Sequence, residues 1–167
     1  IFTSGSTGLP KGVVVSHANL AASTGARVTH YPEAPGASLL LPSFAFDSSV
    51  ALLFWTLATG GALVLPDAET EMEPGALGDL IRRHGVTHTL ALPSLWEAVL
   101  DYAAPGALDS LTDVIVAGEE ATPAAIERHR ARLPRTRLWN EYGPTEATVW
   151  ASVAELTALD APERVPI

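Results

Sequence analysis

The sequence predicts an α/β protein built on a doubly wound, mainly parallel sheet with flanking helices. Two observations lead there. Short apolar runs closed by proline, glycine or charge alternate with helical stretches of about ten residues, the pattern of strands joined by helical crossovers. The unusual residues also fall just after those runs, as Phe46-Asp47, Gly118-Glu119-Glu120 and Tyr142-Gly143-Pro144-Thr145-Glu146. In a parallel sheet these places lie beyond the carboxyl ends of the strands, where ligands bind.

The elements follow in order. Ile1-Phe2 and Val13-Val14-Val15 read as two short strands joined by a turn. Ser16 is a helix N-cap, and the alanine-rich stretch after it is helical to His30, where Pro32 and Pro35 forbid continuation. Residues 38–42 are a buried strand, and residues 48–57 a largely buried helix that stops at Gly60-Gly61. Residues 62–66 are the next strand, followed by an acidic loop and a helix over 74–84 capped by Gly85. Strands over 87–92 and 113–117 alternate with helices over 94–102 and 122–133. In the last helix Thr122 caps, Pro123 occupies the first turn, and the arginines lie toward the negative carboxyl end. A strand over 136–142 closes the series.

Composition narrows the possible functions. The 167 residues suit a single domain, and 47% hydrophobic with 17% charged residues suits a packed core. A formal charge of −9 disfavours nucleic acid or an anionic membrane as partner, so a polyphosphate ligand must be held by local geometry together with a divalent cation. With no cysteine there is neither a disulfide framework nor a thiolate metal site. No charged-then-apolar leader and no long apolar run is present, so the expected location is the cytoplasm. The chain begins on Ile1, in what reads as mid-strand, and we expect it to be a piece of something longer.

Thr3, Ser4, Gly5, Ser6, Thr7, Gly8, Leu9, Pro10, Lys11 and Gly12 form the most informative stretch. Its glycines let backbone N–H groups turn inward, its hydroxyls donate, and Lys11 adds a point charge, a composition suited to phosphate. The order of Lys11 and Gly12 rules out a Walker A loop, and a flexible surface linker is the alternative reading. Glu146, on a tight turn at a strand end, is a candidate Mg²⁺ ligand, or simply part of an ordinary turn capped by Thr145. Tyr142 can stack on a planar base or pack. Asp47 suits either helix capping or pairing with a substrate ammonium group. The five histidines show no metal-ligand spacing, and Glu69, Glu71 and Glu73 read as solvated surface.

Together these segments resemble the adenylate-forming, AMP-binding superfamily, and most closely the adenylation domains of nonribosomal peptide synthetases. Residues 3–12 match Thr-Ser-Gly-Ser/Thr-Thr-Gly-x-Pro-Lys-Gly. Residues 46–49 match Phe-Asp-x-Ser, and residues 140–146 match Asn-x-Tyr-Gly-Pro-Thr-Glu. The resemblance spans nearly the whole chain and implies a single partial domain over 1–167, within the large amino-terminal subdomain, with the mobile carboxyl-terminal subdomain absent. It implies ATP-dependent formation of an aminoacyl-adenylate with release of pyrophosphate. The acyl group then passes to the phosphopantetheine thiol of a peptidyl carrier protein or domain.

By the same resemblance Thr3, Ser4, Gly5, Ser6, Thr7, Gly8 and Lys11 hold the β- and γ-phosphates, Thr145 contacts the α-phosphate, and Glu146 holds Mg²⁺. Gly118, Glu119, Asn140 and Tyr142 frame the adenine, and Asp47 binds the α-ammonium of an amino acid. The selectivity pocket is implied at Ser48, Ala51, Leu90, Ile115, Ala117, Glu141, Val149 and Trp150. Strand alternation agrees in part, placing Ile115 and Ala117 on one face and Glu141 opposite to Asn140 and Tyr142. The expected substrate is a modest aliphatic or cyclic amino acid, with room for a polar or cationic group reaching Glu141. A ligase making acyl- or aryl-CoA thioesters, and a nucleotide-binding module without chemistry, are the rival readings. The lysine and aspartate that complete the family's site lie beyond Ile167, so residues 1–167 alone are expected to be inactive.

Overall fold

A computed structural model describes residues 1–3, 9–160 and 165–166. The chain opens on an antiparallel hairpin, β1 (Phe2–Thr3) with β2 (Lys11–Gly12), in which Thr3 stands opposite Lys11. Helix α1 (His17–His30) starts at a capping box. The Ser16 hydroxyl accepts from the Asn19 N–H, and the Asn19 side-chain oxygen accepts from the Ser16 N–H, both at 3.1 Å.

Six strands form the main sheet: β3 (Ala37–Leu40), β4 (Ala62–Val64), β5 (His88–Ala91), β6 (Asp113–Ala117), β7 (Arg137–Tyr142) and β8 (Ser152–Glu155). Their order is β4-β3-β5-β6-β7-β8, and every neighbouring pair is parallel except β7 with β8. From β3 the chain winds one way to β4, then returns to place β5 on the opposite side, so the winding reverses between β3 and β5. This is the doubly wound arrangement predicted. The antiparallel edge strand β8 was not, because its four half-buried residues carry no breaker at either end to mark them out. The acidic loop likewise contains one short helix, α3 (Ala68–Glu71), capped by the Asp67 carboxylate at 2.8 Å from the Thr70 N–H.

Alternate residues of the strands divide between two apolar cores, as the period of two requires. Leu39, Ala91, Val114, Val116 and Leu138 pack with residues of α4 (Pro74–His84), α5 (Pro93–Tyr102) and α6 (Pro123–Arg132). Leu40, Leu90, Ile115 and Trp139 pack on the other face against Ala51, Leu52 and Trp55 of α2 (Ser48–Ala58) and against Tyr31, just beyond α1. Gly85 ends α4 in the left-handed conformation, φ 57°, as its position in the sequence predicts. Among the described residues no helix is long and apolar enough to cross a membrane.

Two buried polar networks tie the layers together. At the amino ends of the central strands Asp113 accepts from Arg137 Nε at 2.7 Å and Trp139 Nε1 at 2.8 Å, with His88 Nε2 at 3.3 Å. Burial pushes the Asp113 carboxyl upward, but the bonds from Arg137 and Trp139 outweigh it and hold the group below its ordinary value. Between α5 and α6, His129 Nδ1 accepts from Trp96 Nε1 at 3.1 Å, and its Nε2 lies 2.9 Å from the Thr136 carbonyl. That pairing requires the neutral tautomer with the proton on Nε2, and a second proton on Nδ1 would confront the Trp96 N–H.

Burial depresses both His88 and His129 below the ordinary histidine value. A histidine held neutral in the fold binds its proton more readily once unfolded, so stability is complete above the unfolded value of about 6.5 and falls as pH drops below it. Urea unfolding should give a lower midpoint at pH 5.5 than at pH 7.5, with His129→Asn reducing the difference. A midpoint independent of pH over that window would contradict the neutral assignment.

Candidate functional site

Because β3, β5, β6 and β7 run the same way, the segments that follow them meet at one edge of the sheet. Asp47 precedes α2 at the N-cap position, yet its backbone is helical (φ −64°, ψ −26°) and its carboxylate makes no cap hydrogen bond. The capping role open to it in the sequence is therefore not taken up, and the half-buried carboxylate remains for another partner. Ser48, next to it, is half-buried too.

The nucleotide-site candidates are placed as follows. Thr3 and Lys11 face each other at the base of the first hairpin, the Thr3 hydroxyl 3.5 Å from the Lys11 carbonyl, while Lys11 is exposed. Ser4, Gly5, Ser6, Thr7 and Gly8 lie outside the described residues. Gly118 and Glu119 follow β6, and Glu119 Oε2 accepts from the Ser94 N–H at 3.2 Å, in the first turn of α5. Asn140 is buried, its Nδ2 donating to the Pro166 carbonyl at 2.8 Å, whereas Tyr142 is more than half exposed. Thr145 and Glu146 sit on a single 3₁₀ turn (Thr145–Ala147), with Glu146 exposed. Among the described residues no cluster of three or more histidine or carboxylate side chains could hold a metal. One exposed carboxylate nevertheless suits Mg²⁺, which takes one or two carboxylates and completes its shell with phosphate oxygens and water.

The pocket candidates converge. Ala51, Leu90, Ile115, Ala117, Val149 and Trp150, far apart in sequence, belong to one apolar cluster on the α1/α2 side of the sheet. Glu141 is paired across the ladder with Ala117 and is itself 3% exposed. Trp150 also lines a groove of about 370 Å³ between α1 and residues 147–151, bounded by Asn19, Ser23, Ala26 and Thr148. Thr148 and Val149 have positive φ, 60° and 84°. Such backbone is rare for a β-branched residue and persists where surrounding contacts over-determine it, most often at functional sites. Here the Ser23 hydroxyl donates to the Thr148 carbonyl at 2.8 Å and accepts from Trp150 Nε1 at 3.2 Å. The loop is thus latched to α1.

Glu141 corrects one expectation. Its carboxylate, expected to be open to a polar or cationic group, is already held by Arg27 of α1: Nη1 donates to Oε1 and Nη2 to Oε2, the latter at 2.7 Å. The Tyr31 hydroxyl also donates to Oε1. The Arg27 guanidinium lies 4.7 Å from the centre of the Trp150 ring, a cation–π contact. Burial, then the adjacent Glu141 charge, pushes the Tyr31 hydroxyl well above its ordinary pKa, so it stays a donor. Arg27 and Tyr31 were missed in the sequence, where each stands in an unremarkable context more than a hundred residues before Glu141. The one local signal is their spacing of four, which puts both at the same side of the helix end.

Comparison with known proteins shows the family of the chain and of its fold. The family model described as AMP-binding enzyme matches residues 1–166. The chain is 42% identical over 157 residues to bacitracin synthase 3 of Bacillus licheniformis, covering 93% of this chain but 2% of that protein. The crystal structure of the Vibrio cholerae adenylation domain AlmE in complex with glycyl-adenosine-5'-phosphate superposes with a TM-score of 0.88 at 27% identity, over 99% of this chain and 31% of that one. A nonribosomal peptide synthetase protein containing adenylation and PCP domains gives 0.84 at 29% identity, over 98% and 32%. The chain therefore spans a small part of each relative.

The turn that carries Thr145 and Glu146 depends on Gly143. A Cβ there would stand 2.6 Å from Trp150 Cα and 2.7 Å from the Ala151 nitrogen, backbone atoms that cannot swing aside. Gly143→Ala should therefore open the turn between β7 and β8 and lower stability by about 1–3 kcal/mol, the usual range for overpacking. Urea unfolding followed by tryptophan fluorescence checks this, and an unchanged midpoint would show that the two segments are not in close contact.

Proposed function

Since the chain belongs to the AMP-binding enzyme family, we propose that it forms part of the large subdomain of a nonribosomal peptide synthetase adenylation domain. That domain activates an amino acid with ATP as its aminoacyl-adenylate. The observation that carries this reading is Asp47: a half-buried carboxylate with no cap bond, standing at the sheet edge where the strand order reverses and beside an apolar cluster. A free carboxylate in that position suits an α-ammonium group, and the cluster suits the side chain attached to it.

In this reading the amino acid carboxylate attacks the α-phosphorus of ATP, forming the mixed anhydride as the bond to pyrophosphate breaks. The protein's part is to position the reactants and balance their charge. Thr3, Ser4, Gly5, Ser6, Thr7, Gly8 and Lys11 hold the β- and γ-phosphates, and Thr145 the α-phosphate. Glu146 supplies a carboxylate to Mg²⁺, which when bound neutralises phosphate charge. Gly118, Glu119, Asn140 and Tyr142 frame the adenine. The activated acyl group then passes to the phosphopantetheine thiol of a carrier protein or domain. The likeness to the AlmE complex, whose ligand is an aminoacyl-adenylate, and to a protein containing adenylation and PCP domains supports both steps. Residues 1–167 alone should lack turnover, the remainder of the domain being needed to complete the site.

An acyl- or aryl-CoA ligase is the second reading, and Asp47 argues against it: a fatty or aryl acid brings no ammonium, and the half-buried carboxylate would stay unpaired. Pyrophosphate exchange by the full-length protein carrying this chain should depend on an amino acid and on Mg²⁺. Asp47→Ala should reduce amino-acid-dependent kcat/KM on the order of 100-fold, as expected for an unpaired charge in a desolvated contact, and Glu146→Gln should raise the Mg²⁺ requirement. Exchange driven by fatty acids and indifferent to Asp47→Ala would favour the CoA ligase.

A further inference from the structure

Building on the adenylation reading, we infer that Arg27 is a positioning residue that sets substrate specificity. By holding Glu141 in a bidentate ion pair under the Trp150 ring, it takes out of recognition the one acidic side chain, among the described pocket residues, that Asp47's pairing with the ammonium leaves over, so the pocket selects an uncharged amino acid side chain.

Each step rests on a contact. Glu141 is the one charged member of the predicted pocket apart from Asp47, whose place is with the backbone ammonium. Both its oxygens are engaged by Arg27, and one also by Tyr31. Arg27 and Glu141 are 1% and 2% exposed in their side chains, so solvent does little to screen the pair. A planar guanidinium matched to both carboxylate oxygens is a geometry lysine cannot reproduce. The pair is also held from outside. Trp150 stacks on the guanidinium and is anchored through Ser23 to α1, while Tyr31 packs against Trp55 and Trp139 with ring centroids 4.7 and 4.9 Å away. A cationic substrate would have to displace Arg27 from Glu141 within this packing and leave the guanidinium buried without a counter-charge, a strongly unfavourable exchange. An anionic one would meet the Glu141 carboxylate. A neutral side chain disturbs neither.

The charge on either partner can be removed separately, which makes the inference testable as a change in the order of substrates. In pyrophosphate exchange by the full-length protein, wild type should prefer neutral amino acids such as leucine or serine over ornithine, lysine, aspartate and glutamate. Arg27→Met frees the Glu141 carboxylate and should raise ornithine and lysine relative to neutral substrates by about 10-fold or more. Glu141→Gln frees Arg27 and should raise aspartate and glutamate similarly, while Arg27→Met/Glu141→Gln should return the order to neutral side chains. A merely structural pair would lower all substrates by one factor and leave the order unchanged, and that result overturns the inference. If the single variants do not fold, the wild-type panel decides: a cationic or anionic best substrate overturns the proposal, and a neutral one upholds it. Absence of amino-acid-dependent exchange in wild type would remove the adenylation reading and this inference with it. Exchange that Asp47→Ala weakens, with an order that neither single variant moves, would remove this inference alone.

Discussion

The common direction of β3, β5, β6 and β7 is the constraint on which the rest depends. Parallel strands must be joined by crossovers, and the crossovers cover both faces, so the strands are buried throughout and their carboxyl ends emerge at one edge. The segments that follow those strands toward that edge carry Asp47, Glu119, Tyr142 and the turn bearing Thr145 and Glu146. The opposite edge has a different task. There His88, Asp113 and Arg137, each the first residue of its strand, form a buried network that fixes the strands relative to one another. The buried network and the proposed ligand site thus lie at opposite ends of the same strands.

Near that edge, the α1/α2 face carries a second constraint. The cluster around Ala51, Leu90 and Ile115 is apolar, and a carboxylate buried beside it would be costly unless paired. Arg27 resolves this from α1, and the pairing draws the loop after β7 into place, because Trp150 stacks on the same guanidinium and bonds to Ser23 one turn earlier in the helix. The positive φ of Thr148 and Val149 is sustained by those contacts. The same set of contacts neutralises the charge and holds the loop, linking a helix near the start of the chain to a hairpin near its end.

Much of this was legible in the sequence, for identifiable reasons. Helix starts at Ser16 and Thr122 and the stop at Gly85 are local capping chemistry, and all three appear where predicted. The strands of the parallel series are short apolar runs with breakers nearby, and the segments that follow them reach one edge because parallel topology dictates it. What the sequence hid is long-range. The partner of Glu141 lies 114 residues away on a helix whose other residues show nothing unusual, and no period or motif encodes that contact. The strand β8 was hidden because its residues are half-buried on both faces and lack clear alternation. The four-residue helix α3 was hidden because it rests on one cap, Asp67, within a run of acidic residues that reads as solvated loop.

In the proposed site Asp47 receives the substrate ammonium while Arg27 keeps Glu141 to itself. A crystal structure of the full-length protein bound to a non-hydrolysable aminoacyl-adenylate analogue with a neutral side chain tests it most directly. The α-ammonium nitrogen should lie within hydrogen-bonding distance of the Asp47 carboxylate, with the Arg27–Glu141 pair intact beneath Trp150. An ammonium group bound elsewhere, or a ligand side chain inserted between Arg27 and Glu141, would contradict it.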